Sequence, residues 1–256
     1  MSFRTLVIGD VHGCLEELQE LIEIFKPSQN DTVIFAGDLI HKGPFSAEVL
    51  SYVSILRHFC TVKVVAGNHE EKQLRFIANE ARARLTGKSN PMQKVEGYAE
   101  LANACDTDML YVMESARLFV EAEDFVILHG GYGKHHCLED VALRDLKTLA
   151  SDERERAKWL LFTRYLTPKG FPVSLGKETK EDKFWAEMYD GEIGHILFGH
   201  QPFLTEEKKE FPFATGLDLG CVFGNKLCGV EISKGKIVNT IYVNAKRKYA
   251  TSYFED

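Results

Sequence analysis

The sequence predicts an α/β fold, in which parallel strands alternate with helices and polar motifs gather at the strand ends. Three observations carry this expectation. Short apolar runs (Leu6-Val7-Ile8, Thr32-Val33-Ile34-Phe35-Ala36, and Val62 to Ala66) recur ahead of segments with helical spacing. Each run gives way at once to a glycine and a ligand-type residue, at Gly9-Asp10, Gly37-Asp38 and Gly67-Asn68. The β-α-β-α-β-α order sets neighbouring strands parallel, and the edge formed by their ends is where ligands collect in such sheets.

Taken in order, Thr5 to Ile8 reads as a buried strand. Leu15, Leu18, Leu21, Ile22 and Phe25 then recur at helical spacing up to Lys26-Pro27, which ends the helix. The second strand runs into Gly37-Asp38, and Val49, Leu50, Val53 and Leu56 mark a second helix. The third strand delivers Gly67-Asn68-His69-Glu70, followed by Leu74, Ile77, Ala78, Ala81 and Leu85 on a third helix. Residues 87 to 97 are polar, with Pro91, and read as a loop. Tyr98 to Ser115 reads as helix. Leu118 to Glu121 and Phe125 to Leu128 flank Asp124 as an antiparallel hairpin that ends in His129-Gly130-Gly131. Residues 138 to 165 read as mostly helical, 167 to 179 as loop, and Asp182 to Tyr189 as a short helix. His195 to Phe198 is a strand delivering Gly199-His200. Phe213 to Leu219, Lys226 to Ile232 and Ile237 to Val243 are strands, with Lys234-Gly235 as a tight turn. The Lys246-Arg247-Lys248 cluster reads as a solvated tail.

A net charge of −7 argues against a protein that coats duplex nucleic acid, which needs a basic stripe. It leaves room for a small polyanionic substrate, because bound metal ions can supply the positive charge. The amino terminus does not read as a signal peptide, since the apolar run after Arg4 is far too brief. No apolar stretch approaches the length of a membrane helix. Six cysteines are scattered without CxxC pairs, several inside apolar segments, so a reduced, cytoplasmic setting is expected.

Five strand ends carry polar punctuation: Asp10 and His12, Asp38, Asn68 and His69, His129, and His200. One histidine at a strand end is usually an ordinary core or surface residue. Five such ends on one sheet edge point instead to a metal centre. Carboxylate, amide and imidazole together suit Mn, Fe or Zn rather than Ca. Two divalent ions fit the set, Mn²⁺ first, with Fe, Zn or Co as alternatives. Asp38 could bridge them, with Asp10 and His12 on one side and Asn68, His129 and His200 on the other. Such a pair can clamp a phosphate and activate a shared water. His69, left without a ligand role, is placed to protonate a departing oxygen as general acid.

Gly9-Asp10-Val11-His12-Gly13, Gly37-Asp38, Gly67-Asn68-His69-Glu70, His129-Gly130 and Gly199-His200 resemble the motifs of calcineurin-like metallophosphoesterases, in their phosphoprotein-phosphatase branch. The resemblance spans residues 5 to about 230. It implies a β-sandwich of two mixed sheets flanked by helices, with a dinuclear site at one rim. It implies the same ligand roles for Asp10, His12, Asp38, Asn68, His129 and His200, and the acid role for His69. One domain over residues 1–256 is expected, with a helical cap insertion around 80–115.

Protein serine/threonine phosphatases of that branch read Gly-Asp-x-x-Asp-Arg-Gly at the second motif. This chain has His41 for the second Asp and Lys42 for the Arg. Lys followed by Gly43-Pro44 is similar instead to the ApaH-like phosphatases, relatives of symmetrical diadenosine tetraphosphate hydrolases. Phe162-Thr163-Arg164-Tyr165 is similar to the phosphate-binding Arg motif of those hydrolases, and Leu217 to Leu227 resembles their late motif. Lys42 and Arg164 are therefore expected to bind substrate. The expected reaction is metal-dependent cleavage of a phosphoanhydride in a small nucleotide polyphosphate, with diadenosine tetraphosphate giving two ADP. Capped RNA ends and polyphosphate are close variants. A protein phosphatase or other phosphomonoesterase is the second reading, and a binding protein that has lost catalysis the third. The residues leave the oligomeric state open.

Overall fold

The computed structural model describes residues 3–251. Its strands are β1 (Thr5–Ile8), β2 (Thr32–Phe35), β3 (Thr61–Val64), β4 (Phe119–Ala122), β5 (Phe125–Leu128), β6 (Tyr165–Leu166), β7 (Pro172–Val173), β8 (Lys183–Phe184), β9 (His195–Phe198), β10 (Lys209–Glu210), β11 (Ala214–Gly216), β12 (Asp218–Leu219), β13 (Lys226–Ser233) and β14 (Lys236–Asn244). The helices are α1 (Leu15–Phe25), α2 (Ser46–Leu56), α3 (Asn68–Thr86), α4 (Tyr98–Ala104), α5 (Thr107–Glu114), α6 (Ser151–Phe162) and the single turn α7 (Trp185–Met188).

Two mixed sheets form the sandwich. The first runs β12-β13-β1-β2-β3, with β14 on β13, and the second runs β10-β11-β9-β5-β4. The strands β1, β2 and β3 are parallel, as are β5, β9 and β11, so both sets point their C-terminal ends the same way within a sheet. A small third sheet, β7-β6-β8, pairs with neither, and its Phe184 packs against Phe198 of β9. Alternation along β1 explains its unbroken apolar run. Val7 joins Ile34, Val230, Ile127 and Leu197 in the layer between the sheets. Its neighbours Leu6 and Ile8 face the other way, into the core shared with Leu18, Leu21 and Val53 on the helices. A strand buried on both faces has no polar side to show.

Several details differ from the sequence reading. The segment 98–115 breaks at Cys105 into α4 and α5, because the Asp106 carboxylate accepts the Met109 N–H at 2.8 Å and starts a new helix. The strand expected over Phe213 to Leu219 divides at Leu217: β11 pairs with β9 in the second sheet, while β12 pairs with β13 in the first. Lys183–Phe184 extends as β8 against β6, leaving one helical turn where a longer helix was expected. The basic cluster at 246–248 is no free tail. Glu17 on α1 is fully buried and needs donors, which the Lys246 N–H (2.7 Å) and the Tyr249 hydroxyl (2.8 Å) provide. All six cysteines are free thiols. Among the described residues no helix is long and apolar enough to cross a membrane.

Candidate active site

The turns after β1, β2, β3, β5 and β9 meet at one rim. Hydrogen bonds between the sheets close it: His129 Nδ1–H donates to the Ala36 carbonyl at 2.8 Å, and the His200 N–H donates to the Asp10 carboxylate at 3.0 Å. Both contacts need bare backbone on one side. A Cβ on Gly199 would collide with the Asp10 carboxylate, and one on Gly37 with His129 Nδ1. His12, Asp38, His41, Lys42 and His200 all have φ between 47° and 69°. Side chains rarely accept this left-handed backbone, and each instance costs on the order of 1–2 kcal/mol. A lattice of main-chain bonds holds it in place: His12 N–H to Asp38 O, Gly43 N–H to His12 O, and Gly13 N–H to Leu39 O.

The residues brought together are Asp10, His12, Asp38, Asn68, His69, His129 and His200, with Asp38 at the centre. Its Oδ2 lies 3.6 Å from His12 Nε2, 4.0 Å from His69 Nε2 and 3.3 Å from His129 Nε2. Asn68 Oδ1 is 3.2 Å from His129 Nε2, and Asp10 Oδ2 is 3.7 Å from His12 Nε2. Two overlapping groups of close ligand atoms result. One is His12, Asp38 and His69; the other is Asp38, His129 and His200.

Hydrogen-bond partners fix which ring nitrogens carry hydrogen. His12 Nδ1–H donates to Ile40 O at 3.0 Å, so Nε2 presents a lone pair toward Asp38. His129 spends Nδ1–H on Ala36 O, and its Nε2 faces the oxygens of Asp38 and Asn68. His200 turns Nε2–H to the Phe162 carbonyl at 3.3 Å, leaving Nδ1 free to coordinate. Ring nitrogens and carboxylate and amide oxygens thus converge on one centre, an arrangement that calls for positive charge there.

The electrostatics agree. Burial pushes the Asp10 carboxyl well above the usual range, and neighbouring Asp218 pushes it further. Burial would raise Asp38 too, but His129 and His69 outweigh it and hold Asp38 well below. Burial opposes protonation of His129, yet Asp38 and Asp10 lift it to about 9. His12 and His200 are held neutral, chiefly by burial, with Lys42 and Arg164 respectively adding to it. Neutral His12 and His200, an ionised Asp38 and a His129 proton held there by negative charge that a cation could replace fit divalent metal ions.

Lys42 and Arg164 flank opposite ends of the cluster. The Lys42 ammonium donates to His12 Nε2 at 2.8 Å, and the Arg164 guanidinium donates to the His200 carbonyl at 2.9 Å. Arg164 Nε is buried and, among the described residues, meets no acceptor. Both cations line a cavity of 1720 Å³, together with Lys72, Tyr98, Trp159, Phe162 and Phe223.

Several site residues carried no assigned role in the sequence reading. Glu70 accepts the N–H groups of Asp38, Leu39 and Gly67, each at 2.9 Å. Its place in the third motif was a signal for it. Asp218, buried beside Asp10 and Lys42, stands in the late motif. Lys72 and Gln73 follow Asn68 and His69 by one helical turn, which puts them on the same face of α3. Gln73 Oε1 lies 2.9 Å from His41 Nε2, and His41 Nδ1 lies 3.0 Å from His69 Nδ1.

Comparison with known proteins agrees with this geometry. The family model described as calcineurin-like phosphoesterase matches residues 3–203. The asymmetrical bis(5'-nucleosyl)-tetraphosphatase PrpE of Oceanobacillus iheyensis is 27% identical over 98% of this chain and 96% of its own length. The symmetrical bis(5'-nucleosyl)-tetraphosphatase of Edwardsiella ictaluri is 30% identical over 89% of this chain and 92% of its own. A crystal structure of a candidate diadenosine tetraphosphatase superposes with a TM-score of 0.65 at 25% identity, covering 94% of this chain and 93% of the other. With its two mixed sheets and its motifs at one rim, the chain belongs to the calcineurin-like phosphoesterase family.

Proposed function

We propose that this chain hydrolyses a phosphoanhydride bond in nucleotide polyphosphates, diadenosine tetraphosphate foremost, in a reducing cytoplasm. The bis(5'-nucleosyl)-tetraphosphatase relatives, matched over nearly their whole lengths, support the substrate class. The observation that carries the reading is the placing of cations at both ends of the acceptor cluster. Lys42 bonds to the His12 group and Arg164 to the His200 group, with Asp38 common to both. A phosphomonoester has one phosphoryl group to place. A polyphosphate carries further anionic oxygens on either side of the reacting phosphorus, and cations at both ends can meet them. Arg suits paired contacts to phosphate oxygens, while Lys acts as a movable point charge.

Asp10, His12, Asp38, Asn68, His129 and His200 would hold two divalent ions, Mn²⁺ first, with Asp38 shared. Such ions neutralise phosphate charge and acidify a water when bound. The chain's own groups do the rest. Arg164 and Lys42 orient the polyphosphate, and α4 forms one wall of the cavity, acting as a cap that helps shed water. His69 hands a proton from Nε2 to the departing oxygen. In the free protein burial holds His69 near 3, so it is neutral there. An arriving polyphosphate chain brings the negative charge that lets it carry the proton.

Chromatography of the products from diadenosine tetraphosphate tests this. With cations on both sides of the reacting centre, attack near the middle of the chain should yield two ADP. AMP plus ATP would overturn the symmetric placement. No cleavage beside brisk turnover of a phosphopeptide would replace the reading with a protein phosphatase.

A further inference from the structure

Behind His69 stands a buried file of three residues whose hydrogen bonds can run in one direction alone. It starts at the Tyr98 carbonyl, which can only accept. Gln73 Nε2 donates to it at 3.1 Å, and this sets the amide with Oε1 toward His41. The oxygen lies 2.9 Å from His41 Nε2 and likewise can only accept, so His41 carries its hydrogen on Nε2 and a lone pair on Nδ1. His41 Nδ1 is 3.0 Å from His69 Nδ1. His69 must therefore donate there, which leaves Nε2 as its nitrogen for exchanging a proton with substrate. That nitrogen is the one facing the site, 4.0 Å from Asp38 Oδ2.

The file is locked as well as directed. Gln73 is fully buried, and the Tyr98 ring lies 4.2 Å from the His41 ring at an interplanar angle of 30°. A reversed amide would set its oxygen against the Tyr98 carbonyl, acceptor against acceptor, and strip that carbonyl of its hydrogen bond. His41 would then hold hydrogen on Nδ1 and donate to His69, and the directing acceptor behind His69 would be gone.

We propose that Gln73 is a positioning residue: acting through His41, it fixes the tautomer and ring plane of His69 for proton delivery to the leaving oxygen. The inference rests on the proton-donor role of His69 given above. In that step a water oxygen bonds to phosphorus and gives up a proton to solvent, the bond from phosphorus to the leaving oxygen breaks, and the Nε2 proton passes to that oxygen. The imidazolium becomes neutral imidazole, and its Nδ1–H stays hydrogen-bonded to His41 Nδ1. A carboxylate in the place of His41 would accept from His69 unaided. A second imidazole can do so only when its own hydrogen is held on the far side, and Gln73 holds it there.

The test compares Gln73→Leu, which removes the acceptor, with Gln73→Glu, which keeps one toward His41. Phenyl phosphate has a poor leaving group and p-nitrophenyl phosphate a good one. Gln73→Leu should lower kcat on phenyl phosphate about 10- to 100-fold with KM little changed, as for other groups that orient a functional imidazole. The loss on p-nitrophenyl phosphate should be much smaller, and Gln73→Glu should recover most of kcat. Equal losses on both esters, or a Gln73→Glu protein as impaired as Gln73→Leu, would overturn the proposal. Imidazole ¹⁵N spectra of the full-length protein near neutral pH give a readout that needs no turnover. Wild type should show hydrogen on His41 Nε2 and on His69 Nδ1; hydrogen on His69 Nε2 instead would overturn the proposal by itself. A wild-type protein that turned over neither ester nor diadenosine tetraphosphate would sink the hydrolase reading, while the spectrum would still decide the direction of the file.

Discussion

The Glu70 carboxylate accepts the Asp38 N–H at 2.9 Å and so braces the residue common to both ligand groups. Its two oxygens also take the N–H groups of Leu39 and Gly67, tying the second motif to the start of α3. Glu70→Ala leaves three buried donors without an acceptor. At roughly 1–3 kcal/mol for each orphaned group, the loss should be about 3 kcal/mol or more. Glu70→Gln keeps the shape but turns an NH₂ toward one of the three donors, for a loss of about 1–3 kcal/mol. Urea unfolding measures both, and metal affinity should fall in parallel. A Glu70→Gln protein with native stability and affinity would show that the brace is idle.

Metal content and turnover should fail together when Asp38 is changed. Its Oδ2 lies within 4.0 Å of three imidazole nitrogens, and among the described residues Asp38 is common to both groups of close ligand atoms, so it is the residue expected to serve both ions. Asp38→Asn should reduce bound metal and turnover more than Asn68→Ala does. Chelator-treated wild type should be inactive and recover with Mn²⁺. Full turnover by metal-stripped protein, with metal content checked by elemental analysis, would rule out the dinuclear reading.

His69 should behave differently from the ligands. His69→Ala should cost ~10²–10⁴ in turnover, the range for a lost general acid, while metal content stays near normal. Its ring is 4.0 Å from Asp38 but hydrogen-bonds to His41, a residue outside the metal cluster. Loss of metal on this substitution would instead place His69 among the ligands, as its grouping with His12 and Asp38 allows.

The rim was legible in the sequence because strand ends repeat one sign, an apolar run broken by glycine and a polar residue. Asp10, Asp38 and His129 each stand after such a run, and the three converge. What stayed hidden depends on side-chain direction or on partners far along the chain. Gln73 looks like any polar helix residue until the bend at Tyr98 brings a carbonyl to its amide. Glu17 falls among exposed-looking acids on α1, and only the returning chain at Lys246 and Tyr249 shows that it is buried. The division at Leu217 was hidden for another reason: β11 and β12 are short and joined by a single buried residue, and nothing in the local pattern says which sheet each joins.

Asp31 offers a test of stability away from the site. It is buried and accepts from Arg4 (2.7 Å to Nη2), the Arg4 N–H, and both the N–H and hydroxyl of Ser28. Burial alone would raise its carboxyl, but Arg4 and Ser28 outweigh burial and bring it from 3.8 to about 2. The folded state therefore releases this proton more readily than the unfolded chain does. The stabilisation is complete above the ordinary carboxylate range and is lost as pH falls toward 2. The full shift corresponds to roughly 2 kcal/mol, and Arg4 is partly open to solvent, so screening reduces this to about 1–2 kcal/mol. Asp31→Asn should be less stable than wild type by that amount at pH 6, with the gap closing between about pH 4 and pH 2. Unfolding free energies of the two proteins measured across that window decide the matter. A gap that stayed constant to pH 2 would mean that hydrogen-bond geometry, and not the charge on Asp31, stabilises this corner of the fold.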